Sequence, residues 1–87
     1  MGKRAVPALI KNLLNPQAGL ETKKWSGPLL AKSATKEIAP WIVWAINEFG
    51  AMAETDSEKW VARDLKTALP ELYTKFGSIS PAKPSFI

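Results

Sequence analysis

The sequence predicts a small all-α protein. Its 87 residues suffice for a single domain, which we expect to span residues 1–87. Three stretches place apolar residues three and four positions apart, as on one face of a helix, and a helix-capping signature precedes the third. We therefore expect three main helices, a long ordered loop after the first helix, and an extended tail over residues 78–87. The helices are predicted at residues 4–14, 35–53 and 57–76.

The first helix is predicted over residues 4–14. Pro7 is acceptable in its first turn, where a backbone N–H would lack a helical partner. The helix should end at Asn15, because a residue before a proline, here Pro16, avoids the helical region. Its apolar stripe consists of Val6, Leu9, Ile10, Leu13 and Leu14.

Residues 15–34 are predicted to form a loop, because they show no sustained apolar period and contain two prolines and two glycines. Trp25, Leu29 and Leu30 would be unusual in a disordered linker. The loop should therefore be ordered and pack either against the helices of this chain or against a partner.

The second helix carries apolar residues on two faces. Twelve of the sixteen residues from Ile38 to Ala53 are apolar. Ile42 lies on one stripe, whereas Val43 and Trp44 fall on the other side. Either neighbouring elements wrap this helix completely, or its second face contacts a partner. A membrane span is excluded for the uncharged run of residues 38–47, because a span needs roughly twenty residues.

The third helix begins with a capping box, in which the Thr55 hydroxyl and the Glu58 carboxylate reciprocally satisfy free backbone N–H groups. We expect one helix over residues 57–76 with a kink at Pro70, because the proline does not shift the phase of the apolar stripe. Gly77 should supply the C-terminal cap. The stripe consists of Val61, Leu65, Ala68, Leu69, Leu72 and Phe76.

Composition excludes most catalytic and metal chemistry. The chain has no cysteine and no histidine, so disulfides, thiol nucleophiles, histidine bases and His/Cys zinc sites cannot form. The clustered acids Asp56, Glu58 and Asp64 are explained by a helix N-terminus and a solvent face, and they lack the spacing of a calcium loop. The sequence also contains no glycine-rich phosphate loop. We expect a non-enzymatic protein with no cofactor and no metal.

Charge is unevenly distributed. Residues 1–36 hold seven of the twelve Lys and Arg and one acid, whereas residues 37–76 hold seven acids and four bases. This split indicates either an oriented contact with an anionic partner or charge complementation within the fold. The basic residues that surround Trp25 could contact nucleic acid, acidic protein or lipid, or could form a solvated face. They are Lys23, Lys24, Lys32 and Lys36.

The remaining candidates are aromatic. Trp60 projects almost opposite the apolar stripe of the third helix, and exposed tryptophans favour interfaces. The C-terminal Phe86 and Ile87 either resemble a carboxylate-capture peptide or pin the tail into a groove.

We expect an accessory or structural subunit that docks onto a larger protein assembly. The predicted partner-binding residues are Trp25, Trp44, Trp60, Phe86 and Ile87. One alternative is a small nucleic-acid-binding or regulatory protein, for instance of viral origin. Another is a peripheral membrane module that uses the basic first helix and has no transmembrane span. The expected location is intracellular, with an organelle as the alternative because no acid precedes Glu21.

Overall fold

The structure, a computed structural model, describes residues 5–87. Over this range the chain forms four helices of ten or more residues and a shorter fifth helix, and it contains no strand. The predicted all-α class is confirmed, but the prediction of three main helices is wrong. Arg4, the first residue of the predicted helix 4–14, lies outside the described range. The helices are α1 (Ala5–Leu14), α2 (Leu20–Ser33), α3 (Ala39–Met52), α4 (Asp56–Lys66) and α5 (Leu69–Phe76).

The main correction concerns residues 15–34, where a helix, α2, replaces most of the predicted loop. Its buried residues have the three- and four-residue spacing of one helix face, but Leu30 is the only large apolar side chain among them. A face of this kind gives little hydrophobic periodicity. Pro28 lies within the helix at an exposed position, so its ring projects toward solvent. The buried residues are Lys23, Ser26, Gly27, Leu30 and Ala31.

Helices α2 and α4 pack closely at Gly27. A Cβ atom added at this glycine would lie 2.9 Å from Cδ2 of Leu65 and 3.7 Å from its Cα. Real Cβ atoms essentially never approach a neighbour to less than 3.0 Å, so a larger residue would force Leu65 or one of the helices to move. Gly27 therefore sets the close approach of α2, which makes its most extensive contacts with α4 and α1.

Helix α3 packs against α1, α4 and α5. It begins at Ala39, with Ile38 as the N-cap, rather than at residue 35. Residues 36–38 form a separate turn, in which the N–H of Ala39 donates to the Thr35 carbonyl at 2.9 Å. Pro40 lies in its first turn, as expected. Its buried residues come from both predicted faces, so other helices of this chain cover most of its surface. They are Ala39, Ile42, Val43, Ala45, Ile46 and Phe49.

Two helices replace the predicted single helix over residues 57–76. Thr67 and Ala68 separate α4 from α5, and Pro70 occupies the first turn of α5, where its missing N–H costs nothing. The chain thus breaks before the proline instead of kinking at it. The apolar stripe nevertheless continues across the break: Val61, Leu65, Ala68 and Leu72 are buried, and Leu69 and Phe76 pack partly against them.

The predicted caps of this region are confirmed. The Glu58 N–H donates to the Thr55 hydroxyl at 3.1 Å, and the Thr55 N–H donates to the Glu58 carboxylate at 3.0 Å. At the other end, the N–H of Gly77 donates to the Tyr73 carbonyl at 2.8 Å. Gly77 has a φ of +76°, which favours glycine and redirects the chain into the tail.

The tail, residues 78–87, contains no helix and returns along the start of α3. The N–H of Ala82 donates to the Pro40 carbonyl at 3.2 Å, and Pro84 is fully buried. The tail is therefore part of the folded domain.

Candidate partner-binding surface

Trp25 and Trp60 are the most exposed large apolar side chains of the described residues, with 70% and 63% of their surface accessible. Each lies on the helix face opposite to the face that enters the core. Leu29, one turn after Trp25, is also exposed. We call the exposed faces of α2 and α4 that carry these residues the tryptophan surface.

An ion pair joins the two helices that carry the tryptophans. Lys24 Nζ lies 3.9 Å from Oδ2 of Asp64, across the seam between α2 and α4. Trp60 lies one helical turn before Asp64 and so on the same side of α4 as this pair, whereas Trp25, the residue after Lys24, lies about 100° further round α2. Both charged side chains are substantially exposed, so the pair contributes little to stability.

Charges of both signs surround the tryptophans. The guanidinium carbon of Arg63 lies 5.6 Å from the Trp60 ring, a cation–π distance, and Lys59 and Asp56 line the same depression. A second depression holds Trp25 with Glu21, Lys24 and Pro28. Aromatic side chains within a mixed-charge rim are typical of protein interfaces.

The structure places the other predicted anchors differently. Trp44 is partly buried and packs against the core, because α3 is wrapped by its neighbours. Phe86 packs edge to face on Trp41, with ring centroids 5.5 Å apart, so it holds the tail within the fold. Ile87 stays 44% exposed. Trp25 and Trp60 are thus the two candidates that the fold leaves free for a large contact.

The four predicted basic contacts are dispersed. Lys23 is buried, with its ammonium 5.2 Å from the centroid of the Phe49 ring. It therefore does not contribute to the predicted basic surface around Trp25. Lys24 faces Asp64, whereas Lys32 and Lys36 are exposed. Part of the charge split is therefore satisfied within the fold.

The capping box at the N-terminus of α4 sets the ionisation of Glu58. Hydrogen bonds from the backbone N–H and the hydroxyl of Thr55 lower the pKa of the Glu58 carboxyl. The positive charge of Lys23 acts in the same direction. A carboxylate held ionised in this way caps a helix and is a poor proton donor at neutral pH.

Sequence reasoning missed two parts of this region. Leu29 extends the apolar part of the tryptophan surface, and its spacing of four residues from Trp25 was the available signal. A groove for the tail was one of the two expectations for Phe86, but its lining by Trp41 and Lys11 left no signal, because these contacts join distant parts of the chain.

In residues 5–87, no helix is long and apolar enough to cross a membrane, and no three acidic side chains are arranged to hold a metal ion. No known protein family matches the sequence, and comparisons with curated proteins and with solved structures found no similar chain.

Proposed function

We propose that this protein is a non-enzymatic accessory subunit that docks onto a larger protein through the tryptophan surface. The observation that carries the proposal is the exposure of Trp25 and Trp60 on two helices that pack against each other. A tryptophan in water forgoes the burial of a large apolar area, whereas at an interface the same side chain becomes a major source of binding energy.

The charges beside the tryptophans favour a protein partner over a nucleic acid. The three acids of this region, Glu21, Asp56 and Asp64, would repel a phosphate backbone and so offset the attraction of its three bases, Lys24, Lys59 and Arg63. A rim of alternating charge suits a protein surface, where it supplies specificity at little net cost in affinity.

The test uses the full chain to capture its partner from the native source, followed by titration of the purified pair. Trp25→Ser and Trp60→Ser should each weaken binding by about 2 kcal/mol or more, which is roughly thirtyfold in Kd. Because both side chains are exposed, the free energy of unfolding should change by no more than about 0.5 kcal/mol.

Tyr73→Ser is the matched control, because Tyr73 is an exposed aromatic residue on α5, outside the tryptophan surface. It should leave binding unchanged. Equal affinities for all three variants would contradict the proposal.

Titration of the chain with DNA and RNA tests the alternative that the protein binds nucleic acid. If the alternative were right, binding would be measurable at low salt and fall steeply as salt rises, and Lys32→Ala and Lys36→Ala would each reduce the salt slope by about one. We expect no binding at low salt.

A further inference from the structure

The tail occupies its groove in the manner of a bound peptide. Residues 81–86 read Pro-Ala-Lys-Pro-Ser-Phe, with two prolines three positions apart and an aromatic residue two positions later. Residues 81–84 form no helix, strand or turn of their own, and the N–H of Ala82 donates to the Pro40 carbonyl at 3.2 Å. Residues 84–87 form a turn, in which the Ile87 N–H donates to the Pro84 carbonyl at 3.3 Å. Proline-rich segments bind aromatic grooves in this way because their extended conformation is already restricted.

The groove offers three distinct contacts. Trp41 meets the edge of the Phe86 ring at an interplanar angle of 86°, and the Lys11 ammonium lies 5.8 Å from the centroid of that ring. The third contact is the Pro40 carbonyl, which accepts the N–H of Ala82; Pro84, between Ala82 and Phe86 in the chain, is fully buried. We call the surface formed by Lys11, Pro40 and Trp41 the tail groove.

We infer that the tail groove is a binding site for a partner's segment of the pattern Pro-x-x-Pro-x-aromatic, which residues 81–86 of this chain occupy in its absence. The seated tail identifies the chemistry that fits: a buried proline, a backbone donor and a terminal aromatic ring. The site is distinct from the tryptophan surface, and the inference does not depend on the proposed function.

The contacts of the tail also explain how a partner could displace it. Pro81, Ala82, Lys83 and Ser85 are exposed, so residues 81–86 are held mainly through Pro84 and Phe86. Ile79 packs against the core before this segment. The tail has an advantage over a separate partner segment because it is attached to the chain, and a short tether gives it an effective concentration of about 1 mM at the tail groove. A partner segment that adds contacts beyond the tail groove would overcome this advantage.

The test titrates the full chain with a labelled peptide of residues 80–87, amidated so that no terminal carboxylate contributes, and follows fluorescence anisotropy. In wild-type protein the attached tail competes, so binding should be weak. Phe86→Ala weakens the attached competitor, and it should strengthen peptide binding by about tenfold or more. Adding Trp41→Ala to this variant should abolish binding.

Two controls keep the test decisive. Circular dichroism checks that Phe86→Ala retains its helices; should it unfold, Ala82→Pro provides a second route, because it removes the hydrogen bond to Pro40 without touching the core. A peptide with alanine in place of Pro84 and Phe86 should not bind.

The inference would be overturned if the peptide bound to neither folded tail variant. It would also be overturned if binding survived Trp41→Ala. Sedimentation that shows dimers formed by exchange of tails would also overturn it, because the occupant would then be a second copy of this chain.

Discussion

The close approach at Gly27 gives a quantitative test of the packing of α2 on α4. A Cβ at residue 27 would lie 2.9 Å from Cδ2 of Leu65, whereas ordinary contacts begin at 3.4 Å, so one partner must move by about half an ångström. Leu65 is only 1% exposed, and overpacking of such a core costs about 1–3 kcal/mol. Alanine recovers about 1 kcal/mol through its higher helix propensity. Gly27→Ala should therefore lower the free energy of unfolding by up to about 2 kcal/mol.

Gly50→Ala is the matched control, because a Cβ there would meet only the Lys66 side chain, at an ordinary 3.5 Å. It should stabilise the protein by about 0.5–1 kcal/mol. Urea denaturation followed by circular dichroism gives both values, provided that the m-values agree. In a Leu65→Ala background, which leaves space beside residue 27, Gly27→Ala should become stabilising. Equal stabilisation by Gly27→Ala and Gly50→Ala in the wild-type background would refute the reasoning.

Three further predictions concern α4 and the buried lysine. Thr55→Ala should lower the free energy of unfolding by about 1 kcal/mol in urea denaturation, because it leaves the Glu58 N–H without its cap. The folded-state pKa of Glu58 is lowered, so its contribution should be present above the ordinary glutamate pKa of about 4.3 and lost as the pH falls through the lowered value. A stability difference between wild type and Glu58→Ala that stays constant over this range would contradict that assignment. Lys23→Met keeps the packing over Phe49 and removes a buried charge, so its thermal midpoint should be unchanged or higher, whereas Lys23→Ala should cost about 1 kcal/mol or more.

The sequence was informative wherever burial involves large apolar residues. In α1, the residues Val6, Ile10 and Leu13 are all completely buried, as their spacing predicted. The capping box at Thr55 was equally readable, because both of its partners lie within four residues of chain. These signals are local, so they do not depend on the position of any other element.

Helix α2 could not be predicted in the same way, because its buried face consists mainly of small and polar side chains. Lys23 is accommodated in the interior by its aliphatic stem and by the contact of its ammonium with the Phe49 ring. Gly27 is buried because the Leu65 side chain packs closely against it. Both effects depend on residues far away in the sequence. Gly27 and Pro28 are helix breakers in isolation, and that property dominated the prediction.

The candidate surface was predictable only in part. The position of Trp60 on its helix predicted its exposure, since the stripe of α4 fixes which face enters the core. Whether Trp44 is free depends instead on how many neighbours wrap α3, and this follows only from the assembled fold. Whether a side chain is exposed depends on the elements that cover it, and these elements are remote in sequence.

The composition of α2 also bears on the order in which the protein folds. A segment with a central glycine and proline has low intrinsic helicity, so we expect α2 to acquire its structure by docking onto α1 and α4, with which it makes its most extensive contacts. We expect its contacts to form after the rate-limiting step. Destabilising substitutions at the Gly27 seam would then accelerate unfolding and leave the folding rate nearly unchanged. By this reasoning, the α2–α4 seam governs how long the native state persists, while α1, α3 and α4 govern how quickly it forms.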